Sequence, residues 1–241
     1  MNSEISQHLL ANLQLRARAS CSPLPLLVDR AALLLAKELG VDTNKQLNVD
    51  ERAAVVRSQW LDECITQCLK VSPEAIGIEF DAGINTRFHR ISSQLEWPTF
   101  RWADINTPDA SAFSQSLLPI TDNYRQLGLK DEQHDWLYRA GWQAGSDLVL
   151  VTECANERFF ECVRDALTEH NTGKVHFLFC AHANTRLPHF KVGNTPLTLL
   201  QTRHFTAQEP LKALTYWALN KLGISAPAKM SPWVGYHFTA G

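Results

Sequence analysis

From Pro73 onward, short apolar stretches alternate with helical ones, and this alternation restricts the fold more than any other feature. Strands are expected at 76–80, 99–105, 124–129, 147–153, 174–182, 197–205 and 232–239. Helices are expected between them at 87–95, 109–117, 134–142, 156–170 and 209–223. Strand–helix alternation of this kind predicts an α/β chain, a mostly parallel central sheet with helices on both faces. Before Pro73 the pattern is helical. LLVDRAALLLAKELG (26–40) spaces leucine and alanine at helical intervals and stops at Gly40, and NVDERAAVVRSQWLDECITQCLKV (48–71) opens on Asp50 and Glu51, acids that suit a helix N-terminus. The expected organisation is a helical cap over 1–72 and a sheet-forming unit over 73–241.

Composition narrows the function. With 45% apolar residues the 241-residue chain can bury a substantial core, and a net charge of -2 gives no general pull toward nucleic acid or an anionic membrane. No 18-residue apolar run predicts a membrane span, and MNSEISQHLLANLQLRARAS carries no apolar signal-peptide core, so a cytoplasmic location is the expectation. None of the six cysteines forms a CxxC pair. Cys64 and Cys68 are four apart on an expected helix, but a metal site needs two further ligands and the nine histidines offer no obvious pair, so no metal is expected.

Open sheets of this kind bind ligands at the C-terminal ends of their strands. The stretch IGIEFDAGINTRFHRI (76–91) reads as strand, turn and helix start, with Gly83 where backbone can approach a ligand without a Cβ in the way. Strand two is read as ending in Trp102-Ala103-Asp104. Asp104 stands about 20 residues beyond Gly83, the spacing at which an acid takes the ribose hydroxyls of an adenosine. Strand four ends in Glu153, aimed at the same rim. Both nicotinamide cofactors and S-adenosylmethionine carry that ribose. A pyrophosphate wants a fuller glycine pattern and is repelled by an acid at Asp81, whereas S-adenosylmethionine has no phosphate and is cationic at its sulfonium and amino group. Asp81 therefore favours S-adenosylmethionine.

The same residues resemble the leucine carboxyl methyltransferase family, which includes the tetracenomycin-type polyketide O-methyltransferases. That family has G-x-G-x-D-T-R after strand one, where this chain has D-A-G-I-N-T-R, and the likeness runs from about residue 50 to 160 through WADINTP and Glu153-Cys154. The resemblance implies a Rossmann-like class I methyltransferase fold and S-adenosylmethionine as cofactor. It implies that Arg57 meets the methionyl carboxylate, that Gly83 lines the methionyl backbone, and that Thr86 and Arg87 shape the turn. Asp104 would take the ribose, Glu153 would sit near the amino end, and Leu129 would touch the adenine. Asp81 and Asn85 depart from the family's glycine and aspartate. Gly128 stands where the family has an adenine-side acid, and Asp131 lies three residues later.

The activity so implied is O-methylation of a carboxylate or hydroxyl on a small molecule or carboxyl terminus. A carboxylate acceptor needs no base near pH 7, and an alcohol or phenol benefits from one. His182, Arg186 and Arg203 are the acceptor-side candidates. The competing readings are a non-catalytic binding or assembly protein of this fold and, less favoured, a nicotinamide oxidoreductase. The N-terminal helices serve either as a lid on the site or as an interface, including one between two copies of the chain.

Overall fold

The computed structural model describes residues 3–21, 25–130, 135–170, 172–187, 191–192, 194–206 and 230–241. Three helices come first: α1 (Ser3–Cys21), α2 (Arg30–Glu38) and α3 (Val49–Val71). Asp29 caps α2 by accepting from the Ala32 N–H. α3 begins in a reciprocal capping box: the Asn48 side chain accepts from the Glu51 N–H, and the Glu51 carboxylate accepts from the Asn48 N–H. The 23 residues of α3 match the expected 48–71.

The sheet strands are β1 (Ile76–Phe80), β2 (Arg101–Asn106), β3 (Tyr124–Gly128), β4 (Leu148–Thr152) and β5 (Val175–His182). A two-residue ribbon of β6 (Lys191–Val192) and β7 (Thr195–Pro196) follows, then β8 (Thr198–Thr206) and β9 (Met230–Ala240). The seven-stranded sheet has the order β3-β2-β1-β4-β5-β9-β8. β1 to β5 run parallel, whereas β9 is antiparallel to both β5 and β8. This is a Rossmann-like α/β fold whose strand order reverses at β1 and β4, where doubly wound sheets carry their ligand crevice. The helices between the strands are α4 (Arg87–Ser92), α5 (Pro108–Gln115), α6 (Trp136–Arg139) and α7 (Glu157–Glu169). The helix expected at 209–223 lies outside the described residues.

Parallel central strands are buried on both sides, and the residue alternation shows how the sides differ. Ile76, Ile78 and Phe80 of β1 face a core completed by Trp136 of α6 and by Phe159, Val163 and Leu167 of α7. The opposite side, toward Trp102, Val149, Val151, Leu178 and Cys180, is covered by Leu9 and Leu13 of α1, Ala32 of α2, and Trp60, Leu61 and Ile65 of α3. Helices α1, α2 and α3 thus share one core with the sheet. α3 lies against β9 so closely that a Cβ at Gly235 would fall 2.4 Å from the Trp60 ring, so glycine is required there. Among the described residues, no helix is long and apolar enough to cross a membrane.

Candidate functional site

The turn after β1 sits at the rim where strand order reverses. Among the described residues Asp81 is the one non-glycine residue with positive φ (52°), and Gly83 follows at 64°. Asp and Asn tolerate this left-handed region better than other side chains. This accounts for an acid standing where the resembling family has glycine: the backbone geometry survives, and the Asp81 side chain is exposed. Asn85 keeps the turn tight, its Oδ1 accepting from the Arg87 N–H at 3.0 Å and its Nδ2 donating to Glu79 Oε1 at 2.7 Å. Thr86 precedes α4 without capping it, because its hydroxyl donates to Asp29 instead.

Strand two spans Arg101–Asn106 and ends one residue beyond the expected 99–105. Asn106, not Asp104, stands at its end, and it clasps the turn by accepting from the Gly83 N–H at 2.7 Å and donating to the Gly83 carbonyl at 3.2 Å. Asp104 is 1% exposed, accepting from the Trp102 indole N–H at 2.8 Å and from the Tyr124 hydroxyl at 2.6 Å. The expectation that Asp104 lies on the rim is corrected. Alternation placed the acid on the right face but one pleat too deep. Burial pushes its carboxyl up to about 6, against the pull of its two donors.

Beneath the turn lies a buried charge network. Arg87, fully buried, reaches Asp62 at 2.6 Å, Glu153 at 2.5 Å and Glu79, and its Nη2 donates to the Ser58 hydroxyl at 3.1 Å. Arg90, one turn along α4, holds the other oxygen of Asp62 at 2.7 Å and Asp29 at 2.6 Å. Burial opposes charge on both guanidiniums, but the surrounding carboxylates outweigh it and raise them. Burial also works to raise Glu153, and there Arg87 wins, with Arg16, the Ser58 hydroxyl and Arg90 in support, holding the carboxyl down at about 2. For Glu79 burial wins over Arg87, with Asp104 and Glu153 adding to it, and the carboxyl is pushed up to about 8. One of its oxygens, Oε2, is buried without a hydrogen-bond partner.

On the β4–β5 side of the turn, Arg57 of α3 lies 4.9 Å from the centroid of the Trp233 ring on β9, a cation–π distance. Among the described residues no carboxylate stands within ion-pair distance of its guanidinium, and its Nε is buried without a partner. Arg57, Asp81 and Glu153 are all close enough to bear electrostatically on Cys154, whose thiol is raised first by burial. The rim therefore gathers Asp81, Gly83, Arg57, Glu153 and Trp233. Leu129 follows β3, its N–H bonded to the Asn106 carbonyl at 2.9 Å, and packs partly buried against the core. Asp131 lies outside the described residues.

The acceptor-side candidates separate. His182 ends β5, exposed, bonded to Asn184 and edge-on to Trp233 at 6.1 Å. Arg186 is exposed in the following loop. Arg203 is not brought to the rim. It pairs across the sheet with Gly235, midway along β9, and reaches Glu63 of α3 at 3.9 Å, because the antiparallel return of β8 carries it back down the sheet. Sequence reading missed Asp62, Glu79, Arg90, Asn106 and Trp233. Two signals were present: Glu79 is an acid inside the apolar run IGIEF, and Arg87 and Arg90 share a helix face at a spacing of three.

The rim also has a cover. A Cβ at Gly83 would lie 3.2 Å from Leu9 Cδ2, and Arg16 donates to the Ile84 carbonyl, so α1 rests on the turn itself.

No family model matches the chain. The tetracenomycin polyketide synthesis O-methyltransferase TcmP of Streptomyces glaucescens is 30% identical over 135 residues, 55% of this chain and 49% of that protein. The chain thus spans about half the length of the curated relative it matches. This is the kind of protein that the residues around Gly83 resemble. Among solved structures, the precorrin-6y C5,15-methyltransferase of Geobacter metallireducens aligns over 77% of this chain and 87% of its own, at a TM-score of 0.43 and 11% identity. The 23S rRNA methyltransferase ErmE aligns over 76% and 66%, at a TM-score of 0.42 and 6% identity.

Proposed function

We propose that the chain binds S-adenosylmethionine at the rim of β1, β2 and β4 and is an O-methyltransferase acting on a carboxylate or hydroxyl of a small molecule or carboxyl terminus. The observation that carries this reading is Arg57, a guanidinium at the rim with no carboxylate partner among the described residues, facing the same space as the Gly83 turn and Glu153. The residues present fit the cofactor at its methionyl end. Arg57 suits the carboxylate as a charge-assisted donor. Glu153 spends one oxygen on Arg87 and keeps a third of its side chain open for the amino group. The fit is poorer at the ribose, since Asp104 is committed to Trp102 and Tyr124 and Asn106 to the Gly83 backbone. Asp81, exposed beside the turn, disfavours the pyrophosphate of a nicotinamide cofactor.

When bound, S-adenosylmethionine supplies a methyl group already activated by its positive sulfur. The chain's own work is then mostly alignment. Trp233, held under Arg57, gives the pocket an aromatic wall, and His182 stands beside it as the one imidazole on this rim among the described residues. A carboxylate acceptor needs no base here, whereas a hydroxyl acceptor would use His182.

A second reading, a binding or assembly protein that no longer takes the cofactor, is favoured by Leu9 and Arg16 resting on the turn. Calorimetric titration of the full chain with S-adenosylmethionine and with its demethylated product separates the two. Micromolar binding, weakened at least tenfold by Arg57→Ala and by Glu153→Gln, is the expected result. No heat with either ligand at millimolar concentration would overturn the cofactor site and leave the binding-protein reading.

A further inference from the structure

At the opposite end of α3 and β9 from Arg57 and Trp233, three soft donors meet inside the protein. Cys68 Sγ lies 3.8 Å from His237 Nε2, and His237 Nε2 lies 3.0 Å from His176 Nδ1. All three donor atoms fall within 4.8 Å of one another, and all three residues are shielded from solvent. Tetrahedral zinc, with bonds of about 2.0 Å to nitrogen and 2.3 Å to sulfur, sets its ligands about 3.3 Å apart for an N–N pair and about 3.6 Å for an S–N pair. The two edges that meet at His237 Nε2 are within a few tenths of an ångström of those values, and the third, between Cys68 and His176, is no longer than 4.8 Å. From this geometry we propose that Cys68, His176 and His237 form a zinc site, which leaves one tetrahedral position for water.

The chemistry of the donors fits. The two imidazole nitrogens face each other, and in a neutral pair one proton can satisfy that contact only by occupying one of the two lone pairs. A cation uses both. A cysteine thiol ordinarily titrates near about 8.5, so Cys68 enters the site as S–H. Binding therefore forms one metal–sulfur bond as the S–H bond breaks and releases one proton to solvent, with no change of oxidation state. His176 Nε2 has no hydrogen-bond partner, so only the contact at Nδ1 fixes the tautomer. Lys174, just before β5, opposes a cation, but it is exposed and water screens it. Cys64, one turn earlier on α3, points to Gln201 at 3.8 Å and is not in the donor set.

The consequence is mechanical. Cys68 lies 11 residues beyond Arg57, about 16 Å along the helix. His237 lies four residues beyond Trp233, about 13 Å along the strand. The metal would fasten the far ends of the same two elements that present the rim cation and its aromatic platform.

The test uses the full chain, stripped with a chelator and titrated with cobalt(II). The expected result is a one-to-one complex with tetrahedral d–d bands and a thiolate-to-cobalt charge-transfer band, both displaced by zinc. Cys68→Ser should remove the charge-transfer band, and His237→Gln should weaken cobalt binding at least a hundredfold. Should either variant fail to fold, elemental analysis of the dialysed wild-type chain gives an independent readout, with one zinc retained per chain and none after chelation. Absence of the bands at excess cobalt, their persistence in folded Cys68→Ser, or a dialysed wild-type chain that retains no zinc would each overturn the site.

Discussion

Asp62 offers the sharpest test of how the site is held. Its two oxygens hold Arg87 at 2.6 Å and Arg90 at 2.7 Å, and the carboxylate is buried with both guanidiniums. In Asp62→Asn the shape remains, but two buried cations lose a shared counterion and an amide N–H group turns toward donors. Breaking a buried pair by removing one partner costs about 3–5 kcal/mol. That is a large part of a total stability of about 5–15 kcal/mol. Glu79, Glu153 and Asp29 still face the arginines, which places the expected loss at the lower end, about 3 kcal/mol. At about 2–4 °C per kcal/mol for a chain of this size, the melting temperature should fall by roughly 6–12 °C. Urea unfolding followed by circular dichroism gives the comparison. The control is Asp165→Asn, which removes an exposed pair with Arg164, half accessible on both sides, and should cost under about 1 kcal/mol. A loss for Asp62→Asn no larger than that of the control, with an unchanged denaturant slope, would refute the view that this network holds the helical layer on the sheet.

Three further predictions follow from the same geometry. Asn106→Ala strips the Gly83 N–H of its partner inside the protein and should cost about 1–3 kcal/mol in urea unfolding; a neutral result would mean that water reaches the turn. Gly235→Ala drives a Cβ into the Trp60 ring and should cost about 1–3 kcal/mol, with weaker binding of the proposed cofactor as Trp233 shifts under Arg57. The pH dependence has a worked sign. Glu79 titrates at about 8 in the fold against about 4.3 unfolded, so the folded chain holds the extra proton between those values and stability falls as pH rises through the window. Asp104, at about 6, adds a drop of the same sign at lower pH. Glu153, held at about 2, contributes stability that is present above about 4.3 and lost as pH falls toward 2. Urea midpoints should therefore decline from pH 5 to 8, less steeply in Glu79→Gln, and a flat wild-type profile would contradict the assignment.

The strands were legible because their apolar runs are short and separated by turn residues, and β1 matched its expected bounds at Ile76–Phe80. The turn around Gly83 was legible too, since glycine and asparagine there have few other uses. Depth was less so. Alternation tells which face a residue takes but not where the strand ends, and Asp104 and Asn106 share a face two residues apart. Long-range partners were not legible at all. Nothing near Arg87 in the chain announces Asp62, 25 residues earlier, or Glu153, 66 later. The same holds for the histidines: His176 and His237 are 61 residues apart, and only the pairing of β5 with β9 brings them together. Arg203 went the other way, since an arginine on a late strand looks rim-bound until the strand's direction is known.

The network of Asp29, Asp62, Glu79, Arg87, Arg90 and Glu153 also limits how this protein can change over time. Its central charges are shared: Asp62 serves two arginines and Arg87 serves three carboxylates. A lone neutral replacement strands a partner in the interior, whereas a matched pair of replacements need not. Related sequences that have drifted should therefore differ at these positions in concert. A helical segment borrowed from one such relative should suit another's sheet only when position 62 travels together with 87 and 90.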